Sequence, residues 1–302
     1  MILGNAAWGF RKTPLEKQLE ITRSMRLKLL ELSVAGHPND RLQLDSSSLQ
    51  IATVKRLFQE YGVKLCCFST GNDFTLKNKS ECIAQVENVK RVVDICNKLG
   101  GGYLRIFAGF APLEEVVGER WQTMIECLRE TAEYSQNKNV IPVIETHGGV
   151  RAFDNGVEHF FSTSSEPDCL CRMLNELPDS IKVNFDPANI YAVGIKHPEE
   201  VFLRIKDRVV YMHLKDFVRI PGSTLLRPAA CGESDMNWRA LVNVVEKYQG
   251  PALIEYENVE DVESGCRKSL EFLKRISKYK EKEKDELHHG VSREPALFGV
   301  TS

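Results

Sequence analysis

Four ionisable residues, each at the end of an apolar stretch, are the strongest chemical signal in this sequence. They are Glu145 in VIPVIE, Asp186 in IKVNFD, His213 in VVYMH and Glu255 in ALIE. Burying three carboxylates together without a cation costs free energy or forces them to protonate. Three carboxylates and one imidazole form an oxygen-rich ligand set that suits Mn²⁺, Mg²⁺ or Co²⁺, with Zn²⁺ as a further option. Taken together, the four residues predict a site for one divalent metal ion, although each alone could be a helix cap or a core residue.

These residues belong to a regular series of short apolar runs, which predict parallel strands covered on both faces. The eight runs are Met1–Gly4, Leu27–Ser33, Lys64–Ser69, Tyr103–Phe107, Val140–Thr146, Ile181–Asp186, Val209–Lys215 and Ala252–Glu257. Stretches with apolar residues at helical spacing separate most of them. These predicted helices are Ser48–Tyr61, Lys79–Leu99, Glu114–Gln136, Pro198–Lys206, Met236–Tyr248 and Val262–Ile276.

Eight strand-then-helix units predict a single (β/α)8 barrel over residues 1–277. A doubly wound dinucleotide-binding sheet is disfavoured, because no GxGxxG motif follows a strand. In a barrel of this kind the carboxyl ends of the strands meet at one mouth, where the four ionisable residues would lie close together. Residues 278–302 begin with a dense mixture of charges and are expected to form a charged tail or extension.

Composition excludes several other classes of protein. The 302 residues carry a formal net charge of −2, so nothing global attracts nucleic acid or an anionic membrane. No apolar run approaches the roughly 20 residues needed to cross a bilayer, and the N-terminus becomes polar too early for a secretory signal. The nine cysteines are odd in number and scattered, without zinc-knuckle or redox spacing. A cytoplasmic location is therefore expected.

Five motifs give the chain a resemblance to a known family. They are VIETHGG (Val143–Gly149), NFDPANIY (Asn184–Tyr191), YMHLKD (Tyr211–Asp216), CGESDMNW (Cys231–Trp238) and GPALIEYE (Gly250–Glu257). In these motifs the sequence resembles the xylose isomerase-like TIM barrels of the sugar phosphate isomerase/epimerase type. The resemblance implies that Glu145, Asp186, His213 and Glu255 bind one divalent metal, with Mn²⁺ favoured.

The same resemblance implies an activity. Glu145 and Glu255 would act as an acid/base pair, one removing a proton next to a carbonyl and the other returning a proton. The expected substrate is a sugar, a sugar phosphate or another keto-polyol, and the resemblance makes a homo-oligomer plausible. No nucleic-acid or membrane partner is expected.

Five further residues are candidates for substrate binding. His147 follows Glu145 by two positions and could hydrogen-bond substrate or orient a ligand, while Lys215 could supply positive charge at the mouth. Arg219 stands where the resembling ketose 3-epimerases carry a substrate-binding arginine, and Asn189 where they carry a histidine. Trp8 follows the first strand and could form an apolar pocket wall, with core packing as the alternative.

Two departures from the ketose 3-epimerase pattern argue against a plain ketohexose 3-epimerase. One is Asn189, and the other is Arg151, which occupies the place of a substrate-binding glutamate. If Arg151 faces the site, it favours an acidic or phosphorylated substrate. Arg105, inside an apolar strand, requires an anionic partner, for which a neighbouring carboxylate is favoured over substrate. Glu257 is expected just outside the ligand set.

Three rival functions remain. A metal-dependent dehydratase acting on an inosose or on 3-dehydroshikimate would use the same proton abstraction and then eliminate water. An apurinic-site nuclease on the same barrel would require many histidine ligands at the strand ends, whereas the chain has seven histidines and only His147 and His213 are well placed. A barrel without catalytic activity is disfavoured by the intact ligand set.

Overall fold

Thirteen strands form two sheets in the computed structural model, which describes the backbone of residues 1–290 and the side chains of residues 1–277. In chain order, the strands are β1 (Ile2–Asn5), β2 (Leu29–Leu30), β3 (Leu32–Ser33), β4 (Cys67–Ser69), β5 (Gly102–Ile106), β6 (Val140–Glu145), β7 (Gly149–Phe153), β8 (Gly156–Phe160), β9 (Lys182–Phe185), β10 (Val209–Leu214), β11 (Asp216–Arg219), β12 (Leu226–Ala229) and β13 (Pro251–Ile254). Nine of them pair in parallel in the order β2-β1-β13-β10-β9-β6-β5-β4-β3. The predicted single (β/α)8 barrel is confirmed.

The second barrel strand is divided at Glu31. The prediction was one continuous strand over Leu27–Ser33, whereas β2 pairs with β1 and β3 pairs with β4. Glu31 lies between these two short strands, and its backbone N–H donates to the carbonyl of Asn5 at 2.9 Å. Strands β2 and β3 are the two edge strands of the nine-stranded sheet, and Glu31 links them covalently. The barrel is therefore closed at this residue.

Nine helices among the described residues cover the outside of the barrel. They are α1 (Leu15–Ser24), α2 (Ser48–Tyr61), α3 (Lys79–Leu99), α4 (Glu119–Ser135), α5 (Pro167–Glu176), α6 (Pro187–Ala192), α7 (Pro198–Ile205), α8 (Trp238–Val244) and α9 (Val262–Gly290). Helices α2 and α3 have the predicted bounds. A capping box formed by Ser47 and Gln50 starts α2, and Gly62 in the left-handed conformation ends it.

Four of the predicted helices differ in their bounds. Helix α7 ends at Ile205, one residue early, and helix α8 spans Trp238–Val244 instead of Met236–Tyr248. Helix α4 starts at Glu119 and not at Glu114, because a short 3-10 turn over Leu113–Glu115 and a left-handed glycine, Gly118, precede it. Helix α9 continues to Gly290, through the beginning of the expected charged tail. Lysine and glutamate, which dominate this stretch, are good helix formers. Residues 291–302 lie outside the described residues, and no described helix is long and apolar enough to cross a membrane.

The barrel interior is apolar at one level and ionisable at the next. A separate apolar cluster fills the interior, and it contains Ala6, Leu29, Cys67, Val143, Tyr211 and Leu253. Strand residues two positions apart point to the same face, so Val143 lies one level below Glu145 and Leu253 one level below Glu255. The apolar level forms a floor beneath the ionisable residues, which stand at the carboxyl ends of the strands.

A second, antiparallel sheet was not predicted from the sequence. It has the order β11-β12-β8-β7. Strand β7 begins four residues after Glu145, and Lys215 is the one residue between β10 and β11. The sheet thus extends directly from two barrel strands that end in candidate ligands. Sequence periodicity did not predict these strands, because β7 is mostly exposed and the apolar residues of β8 do not alternate cleanly with polar ones.

Candidate metal centre

The four residues singled out by their sequence context lie together at the carboxyl ends of the barrel strands. Glu145 ends β6, Asp186 follows β9, His213 lies in β10 and Glu255 follows β13. All four are buried, and one potential ligand atom from each lies within 4.8 Å of the others. The strand order places β9 and β10 between β6 and β13, so the two glutamates approach the centre from different sides.

Asp186 divides its two carboxylate oxygens between the backbone and the centre. Oδ1 accepts hydrogen bonds from the backbone N–H groups of Ala188 at 2.9 Å and Asn189 at 3.0 Å, and so caps helix α6. Oδ2 is buried without a hydrogen-bond partner among the described residues and lies 3.2 Å from Nζ of Lys215. The helix-cap interpretation and the ligand interpretation therefore both fit this residue.

The two ring nitrogens of His213 face different carboxylates. Nδ1 lies 3.3 Å from Oε1 of Glu145 and 3.4 Å from Oε1 of Glu255, whereas Nε2 lies 3.0 Å from Oε2 of Glu31. Burial alone lowers the pKa of His213, but Glu255, Glu31 and Glu145 raise it well above its usual value. Nδ1 is thus the nitrogen available to a metal among the candidate ligands, and Glu31 orients the ring from its other side.

Glu31 connects the histidine to the barrel wall. Its side chain is fully buried, accepts a hydrogen bond from the hydroxyl of Tyr211, and accepts another from the backbone N–H of Ala7 at 3.2 Å. Burial opposes its ionisation, yet the charge and hydrogen bond of His213 lower the pKa of Glu31 to about 2. Glu31 has no role assigned from the sequence, because a carboxylate that contacts the histidine from behind has no sequence signature of its own.

Glu145 is held from both sides by polar neighbours. Oε2 lies 3.3 Å from Nε of Arg105, and Oε1 accepts from the side-chain amide of Asn189 at 3.2 Å. The preference for a carboxylate as the partner of Arg105 is confirmed. Asn189 also donates to the carbonyl of Thr146 at 3.1 Å, while its Oδ1 has no partner among the described side chains.

Lys215 lies within the cluster and contacts three carboxylates. In addition to Asp186, Nζ lies 2.7 Å from Oε2 of Glu255 and 2.6 Å from Oε1 of Glu257. Burial lowers the pKa of this ammonium group, but the carboxylates overcome that effect and raise it well above the usual lysine value. Lys215 is therefore a buried cation that already balances part of the charge.

The carboxylates still outnumber the cations. Glu31, Glu145, Asp186, Glu255 and Glu257 form ion pairs with Arg105, Lys215 and a protonated His213, which leaves two more carboxylates than cations within ion-pair distance. The charge of Arg11 acts on Glu257 and Glu255 from farther away. Burial, followed by the charges of Glu145 and Glu255, raises the pKa of Asp186 to about 7. Burial and the charge of Glu255 likewise raise the pKa of Glu257. A divalent cation matches both the excess charge and the oxygen-rich donor set.

His147 lies beside this cluster in an aromatic surrounding. Its ring packs edge-on against Phe107 at 5.2 Å and Phe110 at 5.4 Å between centroids. Nδ1 lies 2.5 Å from the carbonyl of Gly148. Burial lowers the pKa of His147 to about 4, with the charge of Glu145 acting in the opposite direction. His147 is therefore a neutral imidazole near the centre.

Two other predicted substrate-binding residues lie farther out. Arg219 is exposed and donates to the carbonyl of Thr224 within the hairpin of β11 and β12, at 3.1 Å. Trp8 is 40% exposed and packs edge-on against His37. Neither contacts the four candidate ligands in the described structure.

Arg151 does not support an anionic substrate. It lies on β7 and pairs with Glu158 of β8 at 2.7 Å, on the exposed surface of the hairpin. Its charge already has a partner there. The sequence left open whether Arg151 faces the site, and the hairpin of β7 and β8 places it on the exposed surface.

A family model described as a xylose isomerase-like TIM barrel matches residues 20–276. Solved structures share the fold at low sequence identity. A D-allulose 3-epimerase from Methylomonas sp. in complex with D-allulose is 16% identical, with a TM-score of 0.69 and coverage of 91% of this chain and 97% of that one. No curated protein sequence matches the chain significantly.

Two further structures illustrate the chemistry found on this fold. A probable 3-DHS dehydratase from Bacillus anthracis is 14% identical, with a TM-score of 0.71 and coverage of 91% and 99% of the two chains. A 3-keto-D-glucoside 4-epimerase from E. coli is also 14% identical, with a TM-score of 0.69 and the same coverage. At this identity the likeness shows the fold alone.

Proposed function

Because this chain belongs to the xylose isomerase-like TIM barrel family, we propose that it is a divalent-metal-dependent isomerase or epimerase. Its substrate would be a sugar, a sugar phosphate or another keto-polyol. The reaction would begin with removal of a proton from the carbon next to the substrate carbonyl. The observation that carries this proposal is the buried cluster of Glu145, Asp186, His213 and Glu255, whose ligand atoms lie within 4.8 Å of one another.

These four residues would hold one divalent ion. When bound, the ion would polarise the carbonyl and an adjacent hydroxyl of the substrate and stabilise the negative charge that develops as the proton leaves. The excess of carboxylates around His213 and Lys215 supports a cation at this place. Mn²⁺ is our favoured metal, with Mg²⁺, Co²⁺ and Zn²⁺ as alternatives for an oxygen-rich set of this kind.

Glu145 and Glu255 would perform the proton transfers. Their Oε1 atoms lie 3.3 and 3.4 Å from the same nitrogen of His213, so both carboxylates border one small space. Their outer oxygens are fixed by Arg105 at 3.3 Å and Lys215 at 2.7 Å. One glutamate would remove the proton and the other would return a proton from the other side, as general acid–base catalysis requires.

The predicted substrate-binding residues keep distinct roles in this proposal. Asn189 would offer its unpartnered Oδ1 to a substrate hydroxyl, and Lys215 would donate a hydrogen bond to a substrate oxygen. His147 would contribute a neutral imidazole at the aromatic wall. Arg219 and Trp8 would contact the outer part of a substrate at the mouth.

The remaining expectations also belong to this proposal. The partner is a small molecule and not nucleic acid or a membrane, and the location is cytoplasmic. All nine cysteines are free thiols, which supports a reducing compartment. A homo-oligomer is proposed from the family resemblance.

A metal-dependent dehydratase is the second candidate. Lys215 supports it, because a buried ammonium group between Glu255 and Glu257 could hydrogen-bond a departing hydroxyl. Both reactions begin with the same proton abstraction. A product lighter than its substrate by one water would identify the dehydratase.

The first test is metal content measured by elemental mass spectrometry after stripping and reloading with Mn²⁺. We expect about one ion per wild-type chain and loss of the ion in Asp186→Ala. The matched control is Asp179→Ala, because the Asp179 side chain is 93% exposed on the surface. Absence of metal from the wild type would remove the basis of the proposed mechanism.

A further inference from the structure

The antiparallel sheet carries a histidine that the proposed mechanism does not use. His159 lies on β8, opposite Val150 of β7, and is partly buried. It is one of the five histidines that the sequence pattern does not place at a strand end. Its true setting is the sheet that extends from the ends of β6 and β10, the strands of Glu145 and His213.

The imidazole of His159 has no hydrogen-bond partner among the described residues. Both Nδ1 and Nε2 are buried, and neither contacts a donor or acceptor. Buried side-chain polar atoms nearly always have at least one partner. A histidine with two unpartnered nitrogens therefore indicates a partner that is not part of the protein chain.

His159 is connected to the centre through one aromatic ring. Its ring lies 4.9 Å from that of Phe217 on β11, and Nζ of Lys215 lies 5.5 Å from the same Phe217 ring. Lys215 in turn contacts Asp186 at 3.2 Å. His159 thus borders the region next to the candidate ligands, on the side of the second sheet.

The protonation state of His159 narrows the chemistry of its partner. Burial lowers its pKa to about 3, and the nearby positive charge of Lys215 acts in the same direction. The ring is neutral at physiological pH, with one nitrogen as a donor and the other as an acceptor. This combination suits hydroxyl groups, which both donate and accept, better than it suits a phosphate or a carboxylate.

We propose that His159 is a substrate-binding residue of this site, whose imidazole hydrogen-bonds the hydroxyl groups of a neutral polyol. The inference rests on the proposed function for the identity of the site and adds the class of group recognised. His159 binds a part of the substrate away from the reacting carbons, next to Phe217 and Lys215. Its contribution is to substrate affinity, while proton transfer belongs to other residues.

The test is a titration of the Mg²⁺-loaded protein with neutral polyols. Binding is followed by NMR spectroscopy of the histidine imidazole Cε1–H signals. The probes are D-allulose, D-tagatose and myo-inositol, and the His159 signal is identified by its loss in His159→Phe. We expect a saturable shift of the His159 signal with at least one probe. The affinity for that probe should fall about tenfold in His159→Phe.

Two variants distinguish the loss of a hydrogen bond to the probe from a general effect of substitution on folding. His159→Gln keeps a donor and an acceptor, so its affinity should stay within about threefold of wild type. His197→Phe is the matched control, since the His197 side chain is 59% exposed and its ring nitrogen pairs with Glu199. Binding with an unmoved His159 signal overturns the inference. So does equal affinity of wild type and His159→Phe, or failure of all three probes to bind.

The proposed function is tested separately, by measuring exchange of the substrate α-proton for deuterium in D₂O. Exchange on a phosphorylated ketose without binding of any neutral probe leaves the proposed function standing and overturns the role of His159. Binding of a neutral probe with a shifted His159 signal, but with no exchange on any ketose, supports the role of His159 and overturns the proposed reaction.

Discussion

The Nε2 atom of His213 lies 3.0 Å from Oε2 of Glu31, on the side of the ring that faces away from the other candidate ligands. A histidine that binds a metal through one nitrogen is commonly held in place by a carboxylate on the other. Glu31, which lies where the second barrel strand is divided, is such a carboxylate for His213.

Glu31→Gln should weaken metal binding without removing a ligand. The amide cannot supply the charge that fixes the imidazole, so we expect the Mn²⁺ dissociation constant to rise by about 10- to 100-fold. Isothermal titration calorimetry measures it, with the exposed Glu200→Gln as control. An unchanged dissociation constant in Glu31→Gln would show that the ring needs no such support.

Glu145→Gln and Glu255→Gln should each abolish most of the turnover. If the two carboxylates exchange protons with the substrate, loss of either should slow solvent deuterium incorporation by about 10²- to 10⁴-fold at saturating metal. The assay is mass spectrometry of a ketose panel in D₂O, with the exposed Glu271→Gln as control. Near-wild-type turnover in both variants would rule out this acid/base pair.

Lys215→Met should destabilise the metal-free protein. The substitution leaves the carboxylates of Asp186, Glu255 and Glu257 without their shared ammonium group. Breaking a buried ion pair by removing one partner costs about 3–5 kcal/mol. Urea denaturation measures the free energy of unfolding, and Mn²⁺ should restore part of the loss. The exposed Lys98→Met is the control, and equal stability of Lys215→Met and wild type would contradict the prediction.

Cys66 should react with alkylating reagents in a pH-dependent way. Its Sγ lies 3.9 Å from that of Cys67, and this hydrogen bond, opposed by burial and aided by Lys64, lowers the pKa of Cys66 to about 7. The thiolate is the reactive form, so alkylation should increase as pH rises from 6 to 8 and level off above that range.

Peptide mass spectrometry after iodoacetamide treatment measures this reaction. Cys169 is the internal control: it is also partly buried, and burial raises its pKa to about 11. Cys67→Ala should move the Cys66 transition to higher pH, because the thiol that donates to the thiolate is lost. A rate at Cys66 that does not change between pH 6 and 8 would contradict the assignment.

The barrel and the four candidate ligands were predictable because each depends on local pattern. Apolar runs mark buried parallel strands, and parallel strands bring their carboxyl ends to one place. Glu145 and Glu255 could therefore be placed together without any structure. The bounds of α2 followed equally from local signals, since Ser47, Gln50 and Gly62 mark its two ends.

The parts that escaped prediction depend on contacts between distant segments. Nothing local shows that Glu31 touches His213, because these residues are 182 positions apart. The second sheet joins β12 to β8 through the pairing of Leu226 with Val157, which no local pattern reveals. Without that sheet, His159 could not be placed near Lys215, and Arg151 could not be placed on the outer surface.

The division of the second barrel strand at Glu31 places one residue both in the barrel wall and in contact with the candidate metal centre. The residue that joins β2 to β3 is also the residue that touches His213. We therefore expect hydrogen exchange at the backbone amides of Leu30 and Leu32 to slow when a metal ion binds at the centre, because these two residues flank Glu31.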